Sequence, residues 1–125
     1  MKVYKGESSS QILCNFRADN VYAEDSSVKL RCNIRDNKIY SEGSSNKVLF
    51  NVRGDKVYKD EGSSHIVFNI RGDNVYKEGS STKVLCNIHG NIVRAEDSHV
   101  KVLFKTSERF NTEELAAILF VLGLI

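Results

Sequence analysis

The sequence predicts a mainly β protein: six two-strand units forming a twelve-stranded antiparallel meander barrel around an apolar C-terminal helix. Three observations predict it. Rows of like residues recur at a fixed spacing, each unit holds two strand-like segments around a two-residue turn, and one apolar segment follows the last unit.

The rows come first. Tyr4, Tyr22, Tyr40, Tyr58 and Tyr76 lie 18 residues apart, each after Val or Ile, and Arg94 holds the sixth place. Asn15, Asn33, Asn51, Asn69 and Asn87 keep the same spacing, closed by Lys105. Between them run serine pairs: Ser8-Ser9, Ser26-Ser27, Ser44-Ser45, Ser63-Ser64 and Ser80-Ser81. Six such units fill residues 1–107 and a helical segment fills 108–125, which together make one domain over 1–125.

Within a unit, the longer strand is typified by Val48-Leu49-Phe50-Asn51-Val52-Arg53, rich in β-branched and aromatic residues. Simple alternation places Val48, Phe50 and Val52 on the core face and Leu49, Asn51 and Arg53 outside. Gly54-Asp55, like Ala18-Asp19, Asp36-Asn37, Gly72-Asp73 and Gly90-Asn91, suits a tight hairpin. Across that turn Arg53 faces Lys56 and Val52 faces Val57, so Tyr58 falls on the outer face. By the same alternation Ile12, Cys14 and Phe16, with Val21, line the lumen.

The last segment begins with concurring signals. Asn111 is an N-cap, Glu114 sits at the capping-box position, and Phe110 can staple onto Leu115. Leu115 to Leu122 is wholly apolar, and a helix apolar all round must be buried all round. A helix of about 14 residues is ~20 Å long, and a strand of ~6 residues spans the same distance. The helix therefore fits the lumen as a plug. The rival architecture is a β-solenoid with a helical cap, which a fixed repeat length also suits. Two strands and a hairpin turn per unit favour the barrel.

Composition excludes several function classes. Eighteen basic and 16 acidic residues nearly balance, so nucleic acid is not an indicated partner. Three cysteines without a C-x-x-C pair make a poor disulfide framework. The first residues carry no signal-peptide core, and the apolar terminal run is about half of a membrane span. A soluble, cytoplasmic chain is the resulting expectation.

No catalytic, metal or cofactor signature is present. Cys14, Cys32 and Cys86 share their row with Phe50, Phe68 and Phe104, which marks a core position. Arg53-Gly54-Asp55 and Arg71-Gly72-Asp73 spell an adhesion tripeptide, but turn chemistry explains both. Arg17, Arg35, Arg53, Arg71 and His89 form a basic row offset by nearby aspartates. His65, His89 and His99 occupy unlike repeat positions and form no triad. The candidate interaction surface is instead an outer belt of Tyr22, Tyr40, Tyr58 and Tyr76 with Leu49 and Leu85, extended by Val67 and Leu103.

Two resemblances follow. The Val-Tyr-Lys and Gly-Ser-Ser units resemble small bacterial tandem-repeat proteins of unassigned function. A barrel with its own C-terminal helix inside looks like the tubby, phospholipid-scramblase and LURP-one-related group, in architecture and without shared motifs; that likeness implies a lipid- or protein-binding module. The leading functional expectation is a non-enzymatic binding or scaffold module. The alternative is a membrane-associated lipid-binding protein that uses its C-terminal helix or a barrel rim.

Overall fold

A computed structural model describes residues 1–125. Six short strands alternate with six long ones. The short strands are β1 (Lys2–Lys5), β3 (Asn20–Ala23), β5 (Lys38–Ser41), β7 (Lys56–Lys59), β9 (Asn74–Lys77) and β11 (Ile92–Ala95). The long strands are β2 (Ile12–Arg17), β4 (Leu30–Arg35), β6 (Val48–Arg53), β8 (Ile66–Arg71), β10 (Val84–His89) and β12 (Val102–Thr106). One helix, α1 (Thr112–Val121), follows. Every strand pairs antiparallel with its sequence neighbours, and β1 pairs with β12 to close the barrel. The solenoid is thereby excluded, and closure occurs within one chain.

Each long strand except β12 runs into a two-residue turn and each short strand into a longer loop, so one rim carries turns and the other carries loops. The expected hairpin register holds, with Val52 opposite Val57 and Arg53 opposite Lys56. The first turn residue has positive φ, at Gly54 (+61°) and Gly72 (+62°) but also at Ala18 (55°) and Asp36 (58°). At the seam no turn exists. There the Ser107 amide donates to the Lys2 carbonyl at 2.9 Å, and the Lys2 amide donates to Ser107 Oγ at 2.8 Å.

Alternation fails at one place in every unit. A β-bulge shifts the register, so that Ile39 faces Phe50 but Tyr40 faces Val48, leaving Leu49 as the extra residue. The same shift recurs at Leu13, Arg31, Val67, Leu85 and Leu103. Ile12 and Val48 therefore share the Tyr side of the sheet rather than the lumen, and neither belongs to the core cluster. Cys14, Phe16 and Val21 do line the core as expected.

The chain leaves β12 at the turn rim, crosses the barrel mouth and enters as α1. Asn111 caps the helix, and both reciprocal bonds of a capping box with Glu114 form at 2.8 Å. Phe110 packs on the core with its ring 6.4 Å from that of Phe104. Leu115, Ala116, Ala117, Ile118 and Leu119 are fully enclosed. The helix is shorter than the expected length, at 10 residues. Gly123, at φ +75°, ends it: the Leu124 amide reaches the Leu119 carbonyl and the Gly123 amide that of Phe120, a Schellman stop. The last turn thus emerges at the loop rim, where Leu124 is exposed. The helix packs most closely on β4, β5 and β6. No helix is long and apolar enough to cross a membrane.

Candidate functional site

The plug leaves the outer wall as the surface on which chemistry is presented, and a side-chain staple organises that wall. Asn51 Nδ2 donates to the carbonyls of Asp60 at 2.8 Å and Gly62 at 2.9 Å, drawing the β7–β8 loop down over the strand. Asn15, Asn33, Asn69 and Asn87 make the same pair of bonds to residues nine and eleven positions on. The Asn row is therefore outside the barrel yet 2–4% exposed. The residue whose carbonyl is gripped has positive φ, as at Glu24 (52°) and Glu78 (52°). The staple thus holds a backbone conformation that a non-glycine residue rarely adopts.

The predicted belt is corrected by this geometry. Tyr22, Tyr40, Tyr58 and Tyr76 do face outward opposite the Asn row, but each is half-buried. Arg35 lies over the Tyr40 ring at 5.8 Å and Arg53 over Tyr58 at 5.6 Å, shielding the aromatic faces. Leu49 and Leu85, with Val67 and Leu103, are not belt residues: they sit at the bulges and pack against the core cluster. Val67 and Leu85 also line a cavity at the loop rim beside Leu124 and Ile125. A continuous apolar outer belt therefore does not form.

Loop chemistry follows the same repeat. Ser26 Oγ accepts from the amides of Val28 and Lys29 at 3.0 and 2.9 Å, and Ser8, Ser44, Ser80 and Ser98 do likewise. In the β7–β8 loop this place is Gly62, while Ser63 and Ser64 stand one residue further on than the aligned pairs. Gly62→Ser should therefore stabilise the chain by about 1 kcal/mol, combining a turn hydrogen bond with reduced unfolded-state freedom. Urea denaturation measures this, and an unchanged or lowered midpoint would contradict it.

The cysteines are core residues. Burial pushes the thiols of Cys14, Cys32 and Cys86 up to about 12, with Cys32 adding to the shift at Cys14. The neutral thiol is thus favoured in the folded state. Stability from these groups is complete below their ordinary value of 9.0 and is lost as pH rises toward about 12. Melting temperature should fall steeply over that window, and Cys14→Val should make the fall shallower. At pH 8 a thiol reagent should react no faster than the chain unfolds.

One stretch of wall departs from the pattern. Arg17, Arg53 and Arg71 each donate Nε to the Oδ1 of the Asn two residues before, at 3.0, 2.9 and 3.2 Å. In the next unit His89 replaces the arginine. A cleft of about 400 Å³ opens there, lined by Asp73, Asn74, Asn87, His89, Asp97 and His99. Asn87, 4% exposed, keeps its two staple bonds, but its Oδ1 has no partner. Histidines in unlike repeat positions were not expected to converge, yet His89 and His99 share this cleft, while His65 lies elsewhere. The staple explains why: it folds residues 96–98 back onto Asn87, which brings the tenth residue after His89 beside it. His99 stands where Ser9, Ser27, Ser45, Ser63 and Ser81 stand in other units. No three His, Cys, Asp or Glu side chains are grouped to hold a metal ion.

Comparison with known proteins places the chain in a family. No curated protein and no solved structure matches it. The sequence model described as "6-fold beta flower protein" matches residues 3–119, covering most of α1 and, except for Lys2, the twelve strands. The closed barrel of six two-strand units and the match over nearly the whole chain lead to one assignment: the chain belongs to the 6-fold beta flower protein family.

Proposed function

We propose that the protein is a non-enzymatic binding module that works from the outer wall of its barrel, through the cleft between β9, β10 and the β11–β12 loop. One observation carries this reading: His89 and His99 replace the repeat's Arg and Ser at the same place, and the unit there has an open polar cleft where its siblings have a side chain. The lumen offers no competing site, because Leu115 to Leu119 fill it. Burial of the helix also supports the wall over a lipid-inserting terminus.

Amide NMR of the labelled chain tests the reading. The probes are charged amino-acid derivatives, monosaccharides, short peptides, and neutral or anionic vesicles. Saturable shifts at His89, Asp97 and His99 that vanish in a His89→Arg/His99→Ser variant support it. Shifts confined to Leu124 and Ile125 on adding vesicles would favour the lipid-binding alternative. A cleft that responds to no probe would end the proposal.

A further inference from the structure

We infer that the barrel mouth at the turn rim binds a free α-amino acid with an apolar side chain, at a second site separate from the wall cleft. The site exists because the helix stands off-axis. The wall closes evenly around twelve strands, but α1 leans on β4, β5 and β6, and the gap this leaves opens beside β8 and β10. A cavity of about 310 Å³ occupies that gap, above the plug and between the β8–β9 and β10–β11 turns. Small-molecule pockets span about 300–1,000 Å³, so this one, at the lower end, suits a small ligand.

The floor is apolar, formed by Ile70, Ile88, Phe110 and Leu115. Ile70 and Ile88 belong to an inward ring of residues at this rim. Phe16, Val52 and Thr106 of the ring are buried, whereas Ile34, Ile70 and Ile88 are only half-buried. The last two are neighbours in the ring and share one concavity. Their apolar surface is wetted until something covers it, so an apolar ligand body gains by displacing that water.

The mouth carries one charge of each sign. Asp73, from the β8–β9 turn, and Arg109, from the segment that crosses from β12 to α1, both line the cavity. Both residues are exposed and neither is in an ion pair, those of the chain being Lys29–Glu24 and Lys38–Glu61. Arg53 and Arg71 are tied by Nε to Asn51 and Asn69, but Arg109 has no such tether. Each of the two charged side chains is therefore free to turn to a ligand. A carboxylate alone would meet Arg109 but also the like charge of Asp73, and an amine alone the reverse. An α-amino acid carries an ammonium and a carboxylate on one carbon that also bears the side chain. The site thus takes the carboxylate at Arg109, the ammonium at Asp73 and the side chain over Ile70 and Ile88.

The test uses the full chain with leucine, leucinamide, isocaproate and glycine, read from amide shifts at Gly90, Phe110 and Leu115. Leucine should bind saturably. Leucinamide lacks the carboxylate, isocaproate the ammonium and glycine the apolar body, so each should bind at least about fivefold more weakly. Arg109→Gln should lower leucine to the affinity of leucinamide and leave leucinamide itself unchanged, a pattern that loss of fold cannot mimic. Asp73→Asn installs the residue that Asn37 and Asn91 supply in sibling turns, and should lower leucine toward isocaproate. Asp73 also borders the wall cleft, so Arg109→Gln is the variant that separates the two sites. Equal binding of leucine and either truncated analogue overturns the inference, as does full leucine affinity in Arg109→Gln. So does silence at the three reporter amides. Leucine shifts at His99 without shifts at Phe110 and Leu115 would place the amino acid in the wall cleft, overturning the mouth site while the binding reading stands.

Discussion

A chain stopped after Ser107 is expected to lose its cooperative thermal transition. The truncation removes Leu115, Ile118 and Leu119, each at most 1% exposed. At about 1.5–3 kcal/mol per side chain, their burial contributes roughly 5–9 kcal/mol gross, which is comparable to the whole stability of a typical domain. The loss extends beyond the helix. Cys14, Phe50, Phe68 and Phe104 face the same interior and would line an empty or wetted lumen. The barrel cannot collapse to close it, because twelve paired strands fix its girth. Circular dichroism should show residual β signal without a sharp melt, together with binding of a hydrophobic dye. A milder variant provides the scale. Ile118→Ala leaves the capped helix in place and should cost about 3 kcal/mol, lowering the melting temperature by roughly 10 °C. A truncated chain that melts as sharply as the full one would show that the wall is self-sufficient and that α1 is a passenger.

The parts of this architecture that local chemistry dictates are legible in the sequence. Gly54-Asp55 and its counterparts mark the tight turns, the Tyr and Asn rows give the period, and Asn111 with Glu114 marks the start of α1. The turns and the helix start depend on residues within four positions of one another, and the period shows by recurrence alone. The bulge at Leu49 is different, because it reflects how a short strand and a long loop share one register, and nothing in Val48-Leu49-Phe50 announces it. That shift, repeated at Leu85, packs Leu49 and Leu85 against the core cluster instead of in the expected outer belt, and it moves Val48 from the core side to the Tyr side. The cleft escaped for a related reason. His89 and His99 meet only because the loop is stapled back on its own strand, and the spacing of ten residues has no meaning in a flat hairpin. The recurring Asn was the available signal: a buried-type polar residue in every outer row implies a recurring partner.

That staple yields the second large expected effect. Asn51→Ala should destabilise the protein by about 2–4 kcal/mol, since it deletes two bonds to loop carbonyls and the one received from Arg53 Nε. The positive φ of Asp60, 58°, would then lose the contact that holds it, so the loop should relax as well as weaken. Hydrogen exchange at residues 60–65 should accelerate more than exchange in α1. The unequal partners of the row make the prediction sharper. Asn87 and Asn33 make the two loop bonds but receive nothing at Oδ1, so alanine there should cost about 1 kcal/mol less than at Asn51. Equal losses at the three positions would mean that the arginine bond contributes nothing. A graded series, largest at Asn51, would show that the bond supplied by Arg53 is energetically real.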